Sequence, residues 1–121
     1  MSTATAKVLL VEDEPLILFT LADHLRQVGL EVVEALDASQ ALEALAKHPG
    51  LAAMVTDVNM PGPINGLELT RIVNFHFPSL PVVVSSGQAT KDEIPRGAIF
   101  VPKPYRYEDM SKLIKQLVSP E

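Results

Sequence analysis

The sequence lacks cysteine, an excess of basic residues and any apolar run long enough to cross a membrane. The absence of cysteine excludes disulfide bonds, thiolate metal sites and cysteine nucleophiles, and it is compatible with a cytoplasmic protein. Ten Lys and Arg residues against 15 Asp and Glu residues give a net charge of −5, so no dense basic surface is available for a nucleic acid backbone. Residues 1–7 show no signal-peptide pattern. We therefore expect neither a nucleic acid nor a membrane among the partners.

Length and composition predict one ordinary folded domain. The chain has 121 residues, 47% of them hydrophobic, and a mean hydropathy of +0.20, which together favour a substantial core over disorder. The sequence shows no repeats, low-complexity tracts or linkers. We expect a single domain over residues 1–121, with its folded core at about residues 6–118 and no output domain.

Short apolar runs alternate with segments of helical periodicity along the chain. The apolar runs show no polar alternation, which is typical of strands that are covered on both faces in parallel sheets. Two capping patterns, which begin at Asp37 and Asn65, mark helix starts. The predicted strands are residues 8–11, 31–35, 51–56, 80–85 and 98–101. This β-α order, repeated five times, predicts an α/β fold with a doubly wound, five-stranded parallel sheet and helices on both faces.

Charged or hydroxyl side chains follow four of the five predicted strands. Glu12 and Asp13 follow the first strand, Asp57 the third, Ser86 the fourth and Lys103 the fifth. The carboxyl ends of parallel strands meet at one edge of the sheet, where functional crevices lie near the switch point of strand order. The second strand contributes nothing comparable, as expected of an outer strand. We therefore expect these five side chains to meet.

This combination of side chains predicts phosphoryl chemistry at Asp57. Three clustered carboxylates repel one another, so one must be protonated or a cation must join them. Oxygen ligands without Cys or His favour Mg²⁺ as that cation. Lys103 offers a second positive charge that can pair with Asp57. A carboxylate between a divalent ion and an ammonium is suited to attack a phosphoryl group, and Ser86 would bond a phosphoryl oxygen.

Four segments of the chain together resemble the receiver domain of bacterial two-component response regulators. They read VLLVEDEP, VTDVNMPG followed by NGLEL, VVVSSG and FVPKPY, and they lie in order at the ends of successive strands. Each segment alone is weakly specific, whereas all four in this order are highly specific. The resemblance covers almost the whole chain and is to a stand-alone, chemotaxis-regulator-like receiver. It implies a flavodoxin-like (βα)5 fold and a phosphoacceptor function in two-component or phosphorelay signalling.

The resemblance also implies a role for each matching residue. Asp57 would be phosphorylated by a histidine kinase or a phosphotransfer protein. Lys103 and Ser86 would bind the phosphoryl group, and Ser86 would move as part of a switch that is read by a downstream protein. The chain would be a signalling receiver that catalyses only its own phosphorylation and dephosphorylation, not an enzyme with an external substrate. The implied Mg²⁺ ligands are Glu12, Asp13, Asp57 and the backbone carbonyl of Asn59.

Three further positions would regulate the phosphorylated state. Phe100, three residues before Lys103, matches the aromatic switch position of the family, although plain core packing fits this residue equally well. Asn59 and Gln88 lie where side chains position or exclude the attacking water, so they would tune dephosphorylation. The Lys103–Pro104 bond resembles the cis peptide of the family.

One interval departs from the family pattern. The interval between Ser86 and Lys103 is shorter than usual, and Pro95 interrupts it. We therefore predict a shortened fourth helix between the fourth and fifth strands. We also expect that the dimerisation or docking face, to which this helix usually contributes, is not used in the usual way.

Two other functions use a similar fold or similar chemistry. A magnesium-dependent phosphatase with an aspartyl nucleophile needs a second acid two residues after the nucleophile, where this chain has Asn59. A flavin-binding or other non-catalytic module would need a phosphate-cradling loop after the first strand, where Glu12 and Asp13 would repel a phosphate. A free-standing receiver and a receiver from a hybrid kinase both fit the sequence.

Overall fold

A computed structural model describes residues 5–119 of the chain. Within these residues it contains five parallel strands, four α-helices and one 3₁₀ helix. The strands are β1 (Lys7–Val11), β2 (Glu31–Ala35), β3 (Leu51–Asp57), β4 (Val82–Ser86) and β5 (Ile99–Pro102). The helices are α1 (Pro15–Gln27), α2 (Ala38–Lys47), α3 (Gly66–His76) and α4 (Tyr107–Val118), and the 3₁₀ helix spans Lys91–Glu93. None of the helices in residues 5–119 has both the length and the apolar character to cross a membrane.

The five strands form one sheet in the order β2-β1-β3-β4-β5, which confirms the predicted flavodoxin-like architecture. The strand order reverses at β1 and β3, because the chain passes from β1 out to β2 and then returns to the other side of β1. Val11 at the end of β1 pairs with Thr56 in β3, and Asp57 pairs with Ser85 in β4. The residues that follow β1 and β3 are therefore neighbours at the switch point, where crevices form in such sheets.

Alternate side chains of the central strands pack into two hydrophobic cores on opposite faces of the sheet. Leu9, Met54 and Val84 belong to the core beneath α2 and α3, whereas Leu10 and Val83 belong to the core beneath α1 and α4. Both faces of the sheet are thus covered by helices, as predicted. This double cover explains why the strand sequences are continuously apolar.

The segment between β4 and β5 holds only the three-residue 3₁₀ helix, so the predicted shortening of the fourth helix is confirmed. The backbone N–H of Thr90 donates a hydrogen bond to the Glu93 carboxylate at 2.7 Å, which closes this single turn. Pro95 has no N–H with which to continue a helix. Gly97 then turns the chain into β5 with φ of 93°, a conformation that favours glycine.

Four of the five strands differ from the sequence prediction by one or two residues at their ends, and two of these differences concern the site. β3 extends through Asp57, and β4 spans Val82–Ser86 rather than residues 80–85. The difference arises because pairing with the neighbouring strand decides where a strand ends, and Ser86 pairs with Pro102 of β5. Asp57 and Ser86 are therefore held by the sheet itself and not by the loops that follow.

Candidate functional site

Asp57 is the last residue of the central strand β3, and only 8% of its surface is exposed. Its backbone is fixed by its neighbours. The Val58 N–H donates to the Ser85 carbonyl at 3.1 Å, and the Thr56 hydroxyl donates to the Asp57 carbonyl at 3.0 Å. The strand thus delivers one buried carboxylate to the carboxyl edge of the sheet, as the sequence predicts.

Glu12 and Asp13 bring two further carboxylates next to Asp57. The Glu12 N–H donates to the Ala35 carbonyl at 3.0 Å, so Glu12 continues the line of β1. The Glu12 side chain is buried, and its Oε2 accepts a hydrogen bond from the Glu14 N–H at 3.2 Å. One carboxylate oxygen from each of the three acids lies within 4.8 Å of the others. The predicted meeting of three carboxylates is therefore observed.

Lys103 joins these carboxylates from the end of β5. Its backbone N–H donates to the Ser86 carbonyl at 3.0 Å, which continues the pairing of β4 with β5 by one residue. Its Nζ is 2.8 Å from Asp57 Oδ1 and 3.6 Å from Glu12 Oε1. The bond from Lys103 to Pro104 is cis, as the resemblance implies.

The protonation behaviour of Glu12 and Lys103 reflects this crowding of charge. Burial raises the pKa of the Glu12 carboxyl and the Asp57 charge raises it further, against the opposing influence of the Glu14 N–H and Lys103. Burial alone would lower the pKa of Lys103, but its contacts with Asp57 and Glu12 together raise that pKa above its ordinary value. Lys103 is thus a cation at neutral pH, and one cation does not balance three carboxylates.

The donor set of this acidic cluster fits a hard divalent cation. The ligand atoms offered by Glu12, Asp13 and Asp57 are carboxylate oxygens, which magnesium prefers to nitrogen or sulfur. A divalent ion would also balance the negative charge that Lys103 leaves uncompensated. The three acids are therefore the residues that would hold Mg²⁺, while the predicted contribution of the Asn59 carbonyl stays a prediction.

The two serines at the end of β4 are both buried, but their hydroxyls lie in different surroundings. Ser86 Oγ accepts hydrogen bonds from the N–H groups of Gln88 at 3.0 Å and Ala89 at 2.9 Å. The hydroxyl hydrogen of Ser86 remains able to donate. Ser85, directly opposite Asp57, lines a small cavity that Asp57 also lines. The binding of a phosphoryl group by Ser86 stays a prediction.

The remaining predicted residues lie at the outer side of the site. Asn59 and Gln88 are exposed, and Asn59 Nδ2 donates a hydrogen bond to Gln88 Oε1 at 3.4 Å. The two predicted tuning residues therefore touch each other. Phe100 lies opposite Val84 in the edge strand β5 and is partly exposed, so it is not a fully buried core residue. The regulatory roles of these side chains stay predictions.

Gly66 is a residue of this site that the sequence analysis missed. Its N–H donates to the Val58 carbonyl at 2.8 Å, and a Cβ at this position would overlap the backbone carbonyl of Asp57. The helix start around it was predicted correctly, because Asn65 and Glu68 form the capping box. A glycine at the first position of a helix, where better helix formers are usual, was the available signal.

Tyr105 was also missed. It lines the same small cavity as Asp57, two residues after Lys103. Burial raises the pKa of its phenol, and Tyr107 and the nearby carboxylates of Glu12 and Asp57 raise it further, so the hydroxyl stays protonated. Its place in the segment FVPKPY was the only signal that the sequence offered.

The fold and the site together define a class of protein. The sheet has this strand order, and at its switch point a buried aspartate lies next to two other acids and a lysine. This arrangement is that of a phosphoacceptor receiver. The chain matches the response regulator receiver domain over residues 8–115, and it belongs to that family.

Comparison with individual proteins agrees with this membership. The chain is 37% identical to the response regulator protein FleR of Pseudomonas aeruginosa over 87 residues, which cover 72% of this chain and 18% of FleR. The receiver domain of the hybrid histidine kinase CckA is 31% identical, with a TM-score of 0.81 and coverage of 94% of this chain and 100% of that domain. A response regulator receiver protein from Sinorhizobium medicae, 24% identical, has the same fold, with a TM-score of 0.86 and 98% coverage of both chains. The chain spans between 7% and 24% of the length of eight curated relatives that it matches.

Proposed function

We propose that this receiver accepts a phosphoryl group on Asp57 with the help of Mg²⁺ and thereby switches a protein-interaction surface. The observation that carries the proposal is the buried Asp57 carboxylate, 2.8 Å from Lys103 Nζ and clustered with the carboxylates of Glu12 and Asp13. A carboxylate in this position can act as a nucleophile, and positive charge stands where negative charge builds up on the transferring oxygens.

In the transfer step, an Asp57 carboxylate oxygen forms a bond to phosphorus while the bond between phosphorus and the donor breaks. The donor leaves with the electron pair of that bond, and a histidine donor is then protonated at the freed nitrogen. Lys103 holds Asp57 by its Oδ1 and neutralises part of the charge. The Ser86 hydroxyl donates its hydrogen to a phosphoryl oxygen. Glu12, Asp13, Asp57 and the Asn59 carbonyl would hold Mg²⁺, which would supply positive charge near the transferred group.

Asn59 and Gln88 control the reverse step, in which water attacks the phosphorus of phosphorylated Asp57. Their side chains are hydrogen-bonded to each other and link the segments that follow β3 and β4. Separation of the two side chains would admit water to the phosphoryl group, and their hydrogen-bonded contact would exclude it. The pair therefore sets the lifetime of the phosphorylated state.

Phosphorylation is read through the end of β4 and the edge strand β5. The added phosphoryl charge attracts the Ser86 hydroxyl, which in the unphosphorylated chain accepts hydrogen bonds from the Gln88 and Ala89 N–H groups. A shift of this segment changes the surroundings of the partly exposed Phe100 on β5. The two arrangements are two populations, and phosphorylation favours one of them.

The partners follow from the chemistry of the donor and from the family. A histidine kinase or a phosphotransfer protein would donate the phosphoryl group, and a downstream protein would recognise the switched surface. The likeness to the receiver domain of the hybrid histidine kinase CckA supports a phosphohistidine donor. Because such donors are phosphorylated from ATP, we propose that the chain works in the cytoplasm as a signalling protein.

Incubation of the wild-type chain with Mg²⁺ and acetyl phosphate tests the proposed function. We expect one phosphoryl adduct per chain in intact mass spectrometry, and we expect fragmentation to place it on Asp57. Chelation of Mg²⁺ should prevent the adduct, because the crowded carboxylates then repel the anionic donor. Absence of an adduct with Mg²⁺ present would contradict the proposal.

Magnesium is expected to raise the melting temperature of the chain through the acidic cluster. A ligand present at a hundredfold excess over its Kd adds about 2.7 kcal/mol to the free energy of unfolding. Asp13→Asn removes one of the three carboxylates and should abolish most of this increase. Asp23→Asn, on the exposed face of α1, is the matched control and should retain it. The melting temperature of each variant is measured by thermal unfolding during a Mg²⁺ titration. Equal increases in melting temperature in the two variants would contradict this assignment.

Lys103→Met is expected to slow phosphoryl uptake by about a hundredfold, because removal of one preorganised electrostatic donor costs about 10²–10³ in rate in enzymes. Methionine has a similar length but lacks the ammonium that lies 2.8 Å from Asp57 Oδ1. The control is Lys47→Met, which removes a surface lysine paired with Glu43 at 3.2 Å and should leave the rate unchanged. Adduct formation at saturating Mg²⁺ is timed by mass spectrometry, and a wild-type rate in the Lys103 variant would refute the role of the ammonium.

A further inference from the structure

Ser85 carries a buried hydroxyl that the proposed phosphoryl transfer does not use. It lies in β4 directly opposite Asp57 and is only 3% exposed. Its Oγ makes no hydrogen bond to any protein group in residues 5–119. A buried hydroxyl without a partner costs free energy, and alanine or valine at the same position would avoid that cost. A partner outside the protein, such as a water molecule, would remove that cost.

Ser85 faces a small cavity beside the acidic cluster. The cavity has a volume of about 10 Å³, and its polar lining includes Glu12, Asp57, Ser85, Lys103 and Tyr105. An internal water needs a volume of about 10–15 Å³ and two to four polar partners. The cavity therefore has the size and the lining for one water molecule, and it is too small for an organic ligand.

The alternation of side chains along β4 explains why Ser85, and not Ser86, faces this cavity. Val83, two residues earlier, packs in the core beneath α1 and α4, so Ser85 points to the same face. On that face Leu21 of α1 and Tyr105 also line the cavity. Ser86 points to the opposite face, where its Oγ is bonded to the loop. The two adjacent serines therefore serve different purposes.

We propose that Ser85 is a positioning residue that anchors one internal water against the Asp57–Lys103 pair. This role rests on the proposed phosphoryl transfer to Asp57. Lys103 occupies one side of the Asp57 carboxylate, through Oδ1 at 2.8 Å, and a water bonded to Ser85 Oγ would hold the inner side. A carboxylate held by hydrogen bonds from two sides keeps a single orientation, which aligns it for attack on phosphorus.

Three substitutions at position 85 distinguish the effect of the hydroxyl group from the effect of the side-chain shape. Ser85→Ala removes the hydroxyl, Ser85→Thr keeps it, and Ser85→Val has the shape of threonine without it. We expect the alanine and valine variants to lose roughly tenfold in the maximal rate of phosphorylation by acetyl phosphate, as typical for loss of an outer hydrogen bond to a reactive group. The threonine variant should stay within about twofold of wild type. The rates are compared at saturating Mg²⁺, so that a change in Mg²⁺ affinity at Asp57 does not affect them.

The outcomes distinguish this inference from the proposed function. If the wild-type chain takes up no phosphoryl group, the proposed function itself fails. If wild type reacts and the threonine and valine variants react at equal rates, the hydroxyl has no part and only the role of Ser85 is overturned. If the Ser85→Val variant does not fold, the rates of the alanine and threonine variants are compared instead. Equal rates in these two variants would likewise overturn the role of Ser85. A high-resolution crystal structure checks the water directly, and its absence beside Ser85 Oγ would also overturn the role.

Discussion

The Asp57→Asn variant is expected to take up no phosphoryl group from acetyl phosphate under conditions that fully load the wild-type chain. The amide has nearly the same size as the carboxylate, so the fold should persist. It lacks the charge that makes the carboxylate a nucleophile, and loss of a nucleophile lowers rates by a factor on the order of a thousand or more. Intact mass spectrometry of both proteins, after identical incubation with Mg²⁺, measures the difference.

A neighbouring acid provides the control for this substitution. Glu14→Gln removes an exposed carboxylate close to the cluster but leaves the backbone N–H that bonds Glu12 Oε2 at 3.2 Å. This variant should be phosphorylated at the wild-type rate. An undiminished adduct in Asp57→Asn would mean that another residue accepts the phosphoryl group. That result would contradict the proposed role of Asp57 as the phosphoacceptor.

Gly66→Ala is expected to lower the free energy of unfolding by about 3 kcal/mol or more, which is large for a change of one methyl group. The added Cβ would overlap the backbone carbonyl of Asp57 and come very close to Val58. Both contacts are with backbone atoms, so no side chain can rotate away to make room. The start of α3 or the end of β3 must therefore move, and the unfolding free energy in urea measures the cost.

The same substitution should also impair chemistry in the molecules that remain folded. A displacement of Asp57 by about 1 Å relative to its partners can cost about a hundredfold in rate. Gly50→Ala is the matched control, because a Cβ there meets no atom within 4 Å, and its stability and its phosphorylation rate should stay near wild type. If Gly66→Ala were as stable and as reactive as Gly50→Ala, the close approach at Asp57 would have no consequence.

The geometry does not favour the alternative of an aspartyl phosphatase. Such an enzyme needs a general acid two residues after its nucleophile, and the side chain at that position, Asn59, is an amide bonded to Gln88. An amide cannot deliver a proton to a leaving alcohol at neutral pH. The membership of the receiver family and the acidic cluster around Asp57 both favour the phosphoacceptor function instead.

The shortened segment between β4 and β5 bears on how phosphorylation is read. A single 3₁₀ turn at Lys91–Glu93 replaces the full helix of the family pattern, as the sequence predicts. The surface beside β5 therefore depends more on the edge strand and on α4. We expect a downstream partner to recognise these elements and the loop after Ser86, which leads directly from the reactive site.

The sequence alone determined the order of elements and the composition of the site. Continuous apolar runs predicted a sheet covered on both faces, and the residues after those runs predicted that Glu12, Asp57 and Lys103 would meet. Parallel strands end at the same edge of the sheet, so topology alone brings their terminal residues together. The short interval and Pro95 likewise predicted the reduced fourth helix from local chemistry.

Only the tertiary structure decided the distances between the residues of the site and the face of the sheet to which each side chain points. The overlap that a side chain at Gly66 would make with Asp57 depends on the path of a loop, which no local preference specifies. The different surroundings of Ser85 and Ser86 follow from the register of β4, since a shift by one residue exchanges the two faces of a strand. Distances through space between segments far apart in the chain are set by packing, and packing is a property of the whole fold.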